Sequence, residues 1–125
     1  MTLLIVDDNI KFRSRLASIV TELDGIQLVG QSGDVQEAIG TIEQTKPDAV
    51  ILDIHMPGGS GLDVMRTAKM TKPGPVIIIL TVCPASEYKD KCIAMGADYF
   101  FEKSDDLTKM MSALAKLSRK FKVHG

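Results

Sequence analysis

The chain has 125 residues, a length that fits one domain able to bury a full core without disulfides or a structural metal. It is 45% hydrophobic and 25% charged with a formal charge of −1, which gives no global attraction to nucleic acid or to an anionic membrane. Cys83 and Cys92 fit neither a C-x-x-C redox motif nor a zinc site, no apolar stretch reaches membrane-spanning length, and the N-terminus lacks a signal-peptide pattern. These features lead us to expect a cytoplasmic protein with two partly buried thiols in a reducing compartment.

The first strand is expected over about Thr2–Val6, where Leu3-Leu4-Ile5-Val6 runs straight into Asp7-Asp8. A short continuous apolar run reads as a strand buried on both faces. Asp8 and Asn9 can both cap the next helix, whose stripe is Phe12, Leu16, Ile19, Val20 and Leu23, and Asp24-Gly25 stops it. Residues 26–31 alternate and read as a strand nearer the sheet edge. Asp34 caps a second helix with Glu37 placed as in a capping box, its buried face being Val35, Ala38, Ile39 and Ile42, and Lys46-Pro47-Asp48 ends it.

The third strand, Ala49–Leu52, has no alternation and should be central; it ends in Asp53. Residues 54–61 are rich in Gly and Pro and are expected to be entirely loop. A third helix follows from roughly Leu62 to Lys69, the weakest pattern in the chain. Val76–Leu80 is again two-sided and leads into a loop, Thr81-Val82-Cys83-Pro84. Ser86 is expected to cap a short helix closed by Gly96, and Tyr99–Glu102 forms the fifth strand. Ser104-Asp105-Asp106 opens the last helix, with a stripe of Leu107, Met110, Met111, Leu114, Leu117 and Phe121. The two methionines read as core filling. The basic end, Lys116, Arg119, Lys120 and Lys122, matches the helix dipole and reads as solvent contact rather than a nucleic-acid site.

Strands alternating with helices imply a parallel sheet with helices on both faces. The two-sided strands take the middle, which favours an α/β, three-layer, flavodoxin-like (βα)5 fold with strand order 2-1-3-4-5. All strands then point one way, and Asp7, Asp8, Asp53, Thr81 and Lys103 gather at the carboxyl edge. Carboxylate pairs about 4 Å apart repel by about 4 kcal/mol at an effective dielectric near 20, so protonation, a cation or wide spacing must offset that. Hard oxygen donors at an exposed loop edge suit Mg²⁺. Beside such an ion, Lys103 and the Thr81 hydroxyl make a place for phosphoryl oxygens. Asp53, central and at the end of its strand, is the expected nucleophile, and the adjacent Asp7 and Asp8 form a metal clamp.

This constellation resembles the receiver domain of two-component response regulators over the whole chain. The marks are Asp7-Asp8, Asp53 in Asp53-Ile54-His55-Met56-Pro57 with Gly61 eight residues on, Thr81 after the fourth strand and Lys103 after the fifth. The resemblance implies that Asp53 receives a phosphoryl group from a sensor histidine kinase or phosphotransfer protein. It implies Mg²⁺ held directly by Asp8 and Asp53, by Asp7 mostly through water, and by the His55 backbone carbonyl. Thr81 and Lys103 would contact the phosphate, and Phe100 would be the aromatic whose rotamer follows Thr81. Phosphorylation would then bias a pre-existing two-state equilibrium and alter the surface around the fifth strand and last helices. His55, Val82 and Cys83 would sit on the rim, where the first and last tune phosphate loss and Val82 narrows access.

Three departures stand out: Ser104 follows Lys103 where many relatives have Pro, Val82 is bulkier than usual, and Phe100 has no hydroxyl. The chain is expected to be a signalling phosphoacceptor rather than an enzyme, a single receiver domain over residues 1–125 with no effector domain. Two readings remain, a stand-alone receiver acting on a protein partner or in a phosphorelay and a receiver cut from a longer regulator. Met1 and the lack of a trailing linker mildly favour the first, with no direct binding of nucleic acid or membrane and with a phosphorylation-dependent homodimer open to it. The competing readings are a pseudo-receiver used only for interaction, a haloacid dehalogenase-like phosphatase and a flavodoxin. The phosphatase wants Asp-x-Asp where this chain has Asp7-Asp8-Asn9, and the flavodoxin wants a phosphate-cradling loop after the first strand.

Overall fold

The computed structural model describes residues 1–124, with side chains through Phe121, so Lys122 at the basic end of the last helix lies outside the described side chains. In chain order the elements are β1 (Thr2–Val6), α1 (Ile10–Val20), β2 (Gln27–Ser32), α2 (Val35–Thr45) and β3 (Ala49–Leu52). These are followed by β4 (His55–Met56), β5 (Gly59–Ser60), α3 (Gly61–Met70), β6 (Val76–Thr81), α4 (Ala85–Ala94), β7 (Tyr99–Glu102) and α5 (Leu107–His124). The main sheet is parallel with order β2-β1-β3-β6-β7, which is 2-1-3-4-5 once the two short strands are set aside. No helix among the described residues is long and apolar enough to cross a membrane.

The two-sided runs are explained by where their side chains go. Leu4, Val6, Val50, Leu52, Ile77 and Ile79 point to one face, where α2, α3 and α4 cover them. Leu3, Ile5, Ala49, Ile51, Ile78 and Leu80 point to the other, beneath α1 and α5. Each fully buried Leu or Ile contributes about 1.5–3 kcal/mol, so β1, β3 and β6 form the strongest part of the fold. Their common direction brings their C-terminal ends to one edge.

Several local expectations change. The α1 helix ends at Val20 with Thr21 as its C-cap, short of Asp24-Gly25, and Asn9 rather than Asp8 caps its start, accepting from the Phe12 N–H at 3.0 Å. Asp8 is thereby left free. Residues 54–61 are not wholly loop: β4 and β5 pair antiparallel across Pro57-Gly58. The α3 helix starts at Gly61, one residue before the expected Leu62, on a capping box not read from the sequence, in which Ser60 accepts from Leu62 N–H and Asp63 accepts from Ser60 N–H. Ser86 does not cap α4; it lies inside the helix, Pro84 holds the N-cap position, and α4 has no side-chain cap of its own. The Lys103–Ser104 peptide bond is trans.

Gly61 ties the hairpin to the site. Its N–H donates to the Ile54 carbonyl at 2.7 Å, and a Cβ at this position would overlap the carbonyl oxygen of Asp53. Gly61→Ala is therefore expected to lower stability by at least about 2 kcal/mol, the scale of overpacking against backbone, read as a drop in urea midpoint. An unchanged midpoint would show that the β3–α3 turn is looser than this contact requires.

Candidate functional site

The site is assembled from four strand ends. Leaving β1, Asp7 donates its N–H to Ser32 O at 3.0 Å, and its Oδ1 accepts from Asn9 N–H at 2.9 Å. Leaving β3, Asp53 donates its N–H to Val6 O at 3.0 Å. Lys103 follows β7 and donates its N–H to the carbonyl of Thr81, the last residue of β6, at 2.8 Å. These main-chain bonds place three charged side chains together without any long loop.

The Lys103 ammonium lies 2.7 Å from Asp7 Oδ2 and 3.0 Å from Asp53 Oδ2. Asp7 and Asp53 are buried at 3% and 5% exposure, while Asp8 is exposed beside them. Carboxylate oxygens of Asp7, Asp8 and Asp53 lie within 4.8 Å of one another. Lys103 also sits 4.3 Å from the centroid of the Phe12 ring, a cation–π contact, and Arg13 Nη1 donates to the Asp7 carbonyl at 2.8 Å. Neither Phe12 nor Arg13 carried a functional signal in the sequence, where Phe12 read as part of an apolar stripe.

Burial pushes the Asp7 carboxyl above its ordinary value, and the Lys103 hydrogen bond and the Asn9 N–H recover only part of that penalty. For Lys103, burial pulls the ammonium down, but the hydrogen bond to Asp7 and the charge of Asp53 outweigh it and the net shift is upward. The asymmetry is physical: one ammonium serves two carboxylates, so it gains from both while they share it. Asp53 Oδ1 is buried and has no hydrogen-bond partner among the described residues. A buried acceptor left open, next to two further carboxylates, fits a hard divalent cation.

Thr81 is fully buried, with its Oγ1 accepting from Cys83 N–H at 3.3 Å. Phe100, 8% exposed, is packed inward against the α2–α3–α4 side of the core. Of the three rim residues, Val82 is 72% exposed and His55 is exposed, edge-on to Tyr88 with ring centroids 6.2 Å apart. Cys83 is not on the rim. It is 4% exposed and belongs to the core, because the turn after β6 directs its small thiol inward while Val82 faces out. Both cysteines are free and buried.

Together these features define a flavodoxin-like α/β domain with an acid–lysine pocket at the carboxyl edge of its sheet. Comparison with known proteins narrows that class. The response regulator receiver domain family matches residues 3–115. The chain is 30% identical over 111 residues to the response regulator GacA of Pseudomonas viridiflava, covering 89% of this chain and 52% of that protein. It is 34% identical over 121 residues to protein-glutamate methylesterase/protein-glutamine glutaminase 1 of Caulobacter vibrioides, covering 96% of this chain and 35% of that one. The response regulatory domain of protein mrkE from Klebsiella pneumoniae superposes with a TM-score of 0.87 at 20% identity, over 98% of each chain. The chain belongs to the response regulator receiver domain family. It spans about half the length of GacA and about a third of the methylesterase.

The raised Asp7 carboxyl has a consequence for stability. Its contribution is fully present below the ordinary carboxylate range and is lost as pH rises through the raised folded value, so ionised Asp7 weakens the metal-free fold at neutral pH. Asp7→Asn is expected to raise the urea midpoint at pH 7 in EDTA, with the gain shrinking as pH falls toward 4. A lower midpoint at pH 7 would mean that Lys103 more than compensates Asp7.

Proposed function

We propose that this receiver is a phosphorylatable switch in which Asp53 accepts a phosphoryl group from the phosphohistidine of a sensor histidine kinase or phosphotransfer protein. The observation that carries this is the state of the Asp53 carboxylate: one oxygen is bound by Lys103 and the other is buried and open. Most buried carboxylates with a purely structural role have both oxygens hydrogen-bonded.

Asp8 and Asp53 would hold Mg²⁺ directly, with Asp7 acting mostly through water and His55 through its backbone carbonyl. When bound, the ion supplies charge neutralisation for the transferring phosphoryl group. An oxygen of Asp53 attacks phosphorus, the P–N bond to the donor imidazole breaks, and its electron pair returns to the imidazole nitrogen. Lys103 holds its positive charge beside the negative charge gathering on the phosphoryl oxygens. Thr81, whose Oγ1 accepts from the Cys83 N–H, donates its own O–H to one of those oxygens as it swings toward Asp53. The Phe100 ring, already packed inward, would repack into the space that Thr81 leaves, and the surface of β7 and α5 would change. Hydrolysis later returns Asp53 and releases inorganic phosphate.

A stand-alone chain would deliver this signal to a protein partner or a phosphorelay, and homodimerisation on phosphorylation is compatible with that. The chain itself would act as a signalling phosphoacceptor in the cytoplasm. The pseudo-receiver alternative predicts no covalent chemistry at Asp53.

Beryllofluoride, which mimics the phosphoryl group on a carboxylate, separates the two. With Mg²⁺, ¹⁹F NMR is expected to show a bound signal in the parent, none in Asp53→Asn, and affinity weakened at least tenfold in Lys103→Met. No bound signal in the parent would favour the interaction module. His55→Ala is expected to change aspartyl-phosphate decay more than it changes the urea midpoint; equal decay rates would remove His55 from the rim's tuning set.

A further inference from the structure

The α4 helix begins without a cap from its own sequence, since Pro84 occupies the N-cap position and no side chain of that turn bonds an N–H. The first backbone N–H groups of a helix have no partner within it and need one elsewhere. Here the partner comes from another strand: Ala85 N–H donates to Oε1 of Glu102, at the end of β7, at 3.2 Å. A carboxylate at this position also suits the positive end of the helix dipole. Cys92 is the one fully buried residue of α4, with Ala85 and Tyr88 partly buried against the same core, so the helix is anchored on a narrow stripe.

Glu102 stands at a junction of the site. It pairs in register with Thr81, immediately precedes Lys103, and has its own N–H fixed by Asp106 Oδ2 at 2.9 Å. Its backbone is therefore tied down while its side chain reaches across to α4. Two acceptors hold the segment after β6 in its present arrangement: Thr81 Oγ1 takes the Cys83 N–H and Glu102 Oε1 takes the Ala85 N–H. If Thr81 swings its Oγ1 itself toward a phosphoryl oxygen on Asp53, the Cys83 N–H is left without that acceptor and the segment is freed to move. Ala85, two residues on, then leaves Glu102.

We propose that Glu102 is a positioning residue for the Asp53 site: its carboxylate latches the first turn of α4 and biases the chain toward the unphosphorylated arrangement. This rests on the Asp53 reading above. A latch present in only one of two states weakens the ligand that selects the other state, by the share of its own energy. A helix cap is of a size that changes such an equilibrium by about fivefold.

The test is the beryllofluoride dissociation constant, measured by ¹⁹F NMR in Mg²⁺ for the parent and three variants of the full chain. Glu102→Ala removes the acceptor and is expected to bind about fivefold tighter, whereas Glu102→Gln keeps Oε1 and stays close to the parent. Ala85→Pro removes the N–H from the other side, at a first helical position that tolerates proline, and is expected to tighten binding like Glu102→Ala even if that variant folds poorly. Parental or weaker affinity in both Glu102→Ala and Ala85→Pro, or equal affinities for the Ala and Gln variants, would overturn the latch alone. Absence of binding by the parent would overturn the Asp53 reading and the latch with it.

Discussion

The interaction on which the site depends is the Lys103 ammonium held between the carboxylates of Asp7 and Asp53. Two buried carboxylates facing one another repel strongly, and removing the only cation from such a group leaves charge that the interior cannot solvate. Lys103 relieves that repulsion but cannot cancel it, since two anions share one cation. The remaining negative charge, together with exposed Asp8 and the open Asp53 Oδ1, makes the pocket receptive to further positive charge. On the proposed reading, the ammonium already stands where an anionic group transferred to Asp53 would need it.

The fold exists, from the site's point of view, to hold these few groups at fixed distances. Central strands β1, β3 and β6 are buried on both faces, so their ends are among the least mobile points available. Main-chain bonds from Asp7 to Ser32, Asp53 to Val6 and Lys103 to Thr81 lock adjacent strand ends to one another. The β4–β5 hairpin, held beside Asp53 by the Gly61 N–H bond to the Ile54 carbonyl, closes one side. Thr81 and Glu102 extend this rigid edge to the more weakly held α4, which is where a change at Asp53 would find something able to move.

Much of this was legible in the sequence. Unbroken apolar runs in Leu3–Val6, Ala49–Leu52 and Val76–Leu80 place three strands in the middle, and parallel topology then carries Asp7, Asp53, Thr81 and Lys103 to one edge. What escaped had two kinds of cause. Some signals were present but overridden: Ser60-x-x-Asp63 is a capping pattern hidden behind the Gly-Pro content of residues 54–61, and Ser86 looked like a cap although Pro84 already began the helix. Others depend on three-dimensional proximity that local pattern does not encode. Phe12 against Lys103, Glu102 on Ala85 and the inward turn of Cys83 all join separate elements, or follow from a turn geometry set by its neighbours.

The central claim, that Asp53 is the phosphoacceptor and depends on a divalent cation, is tested most directly by trapping the acyl phosphate. The chain is incubated with acetyl phosphate in Mg²⁺ or in EDTA, reduced with borohydride, and sequenced by tandem mass spectrometry. The account predicts homoserine in place of aspartate at position 53 in the Mg²⁺ sample, and unmodified Asp53 in EDTA. Label at another aspartate, equal label in both samples, or unmodified Asp53 throughout would contradict it.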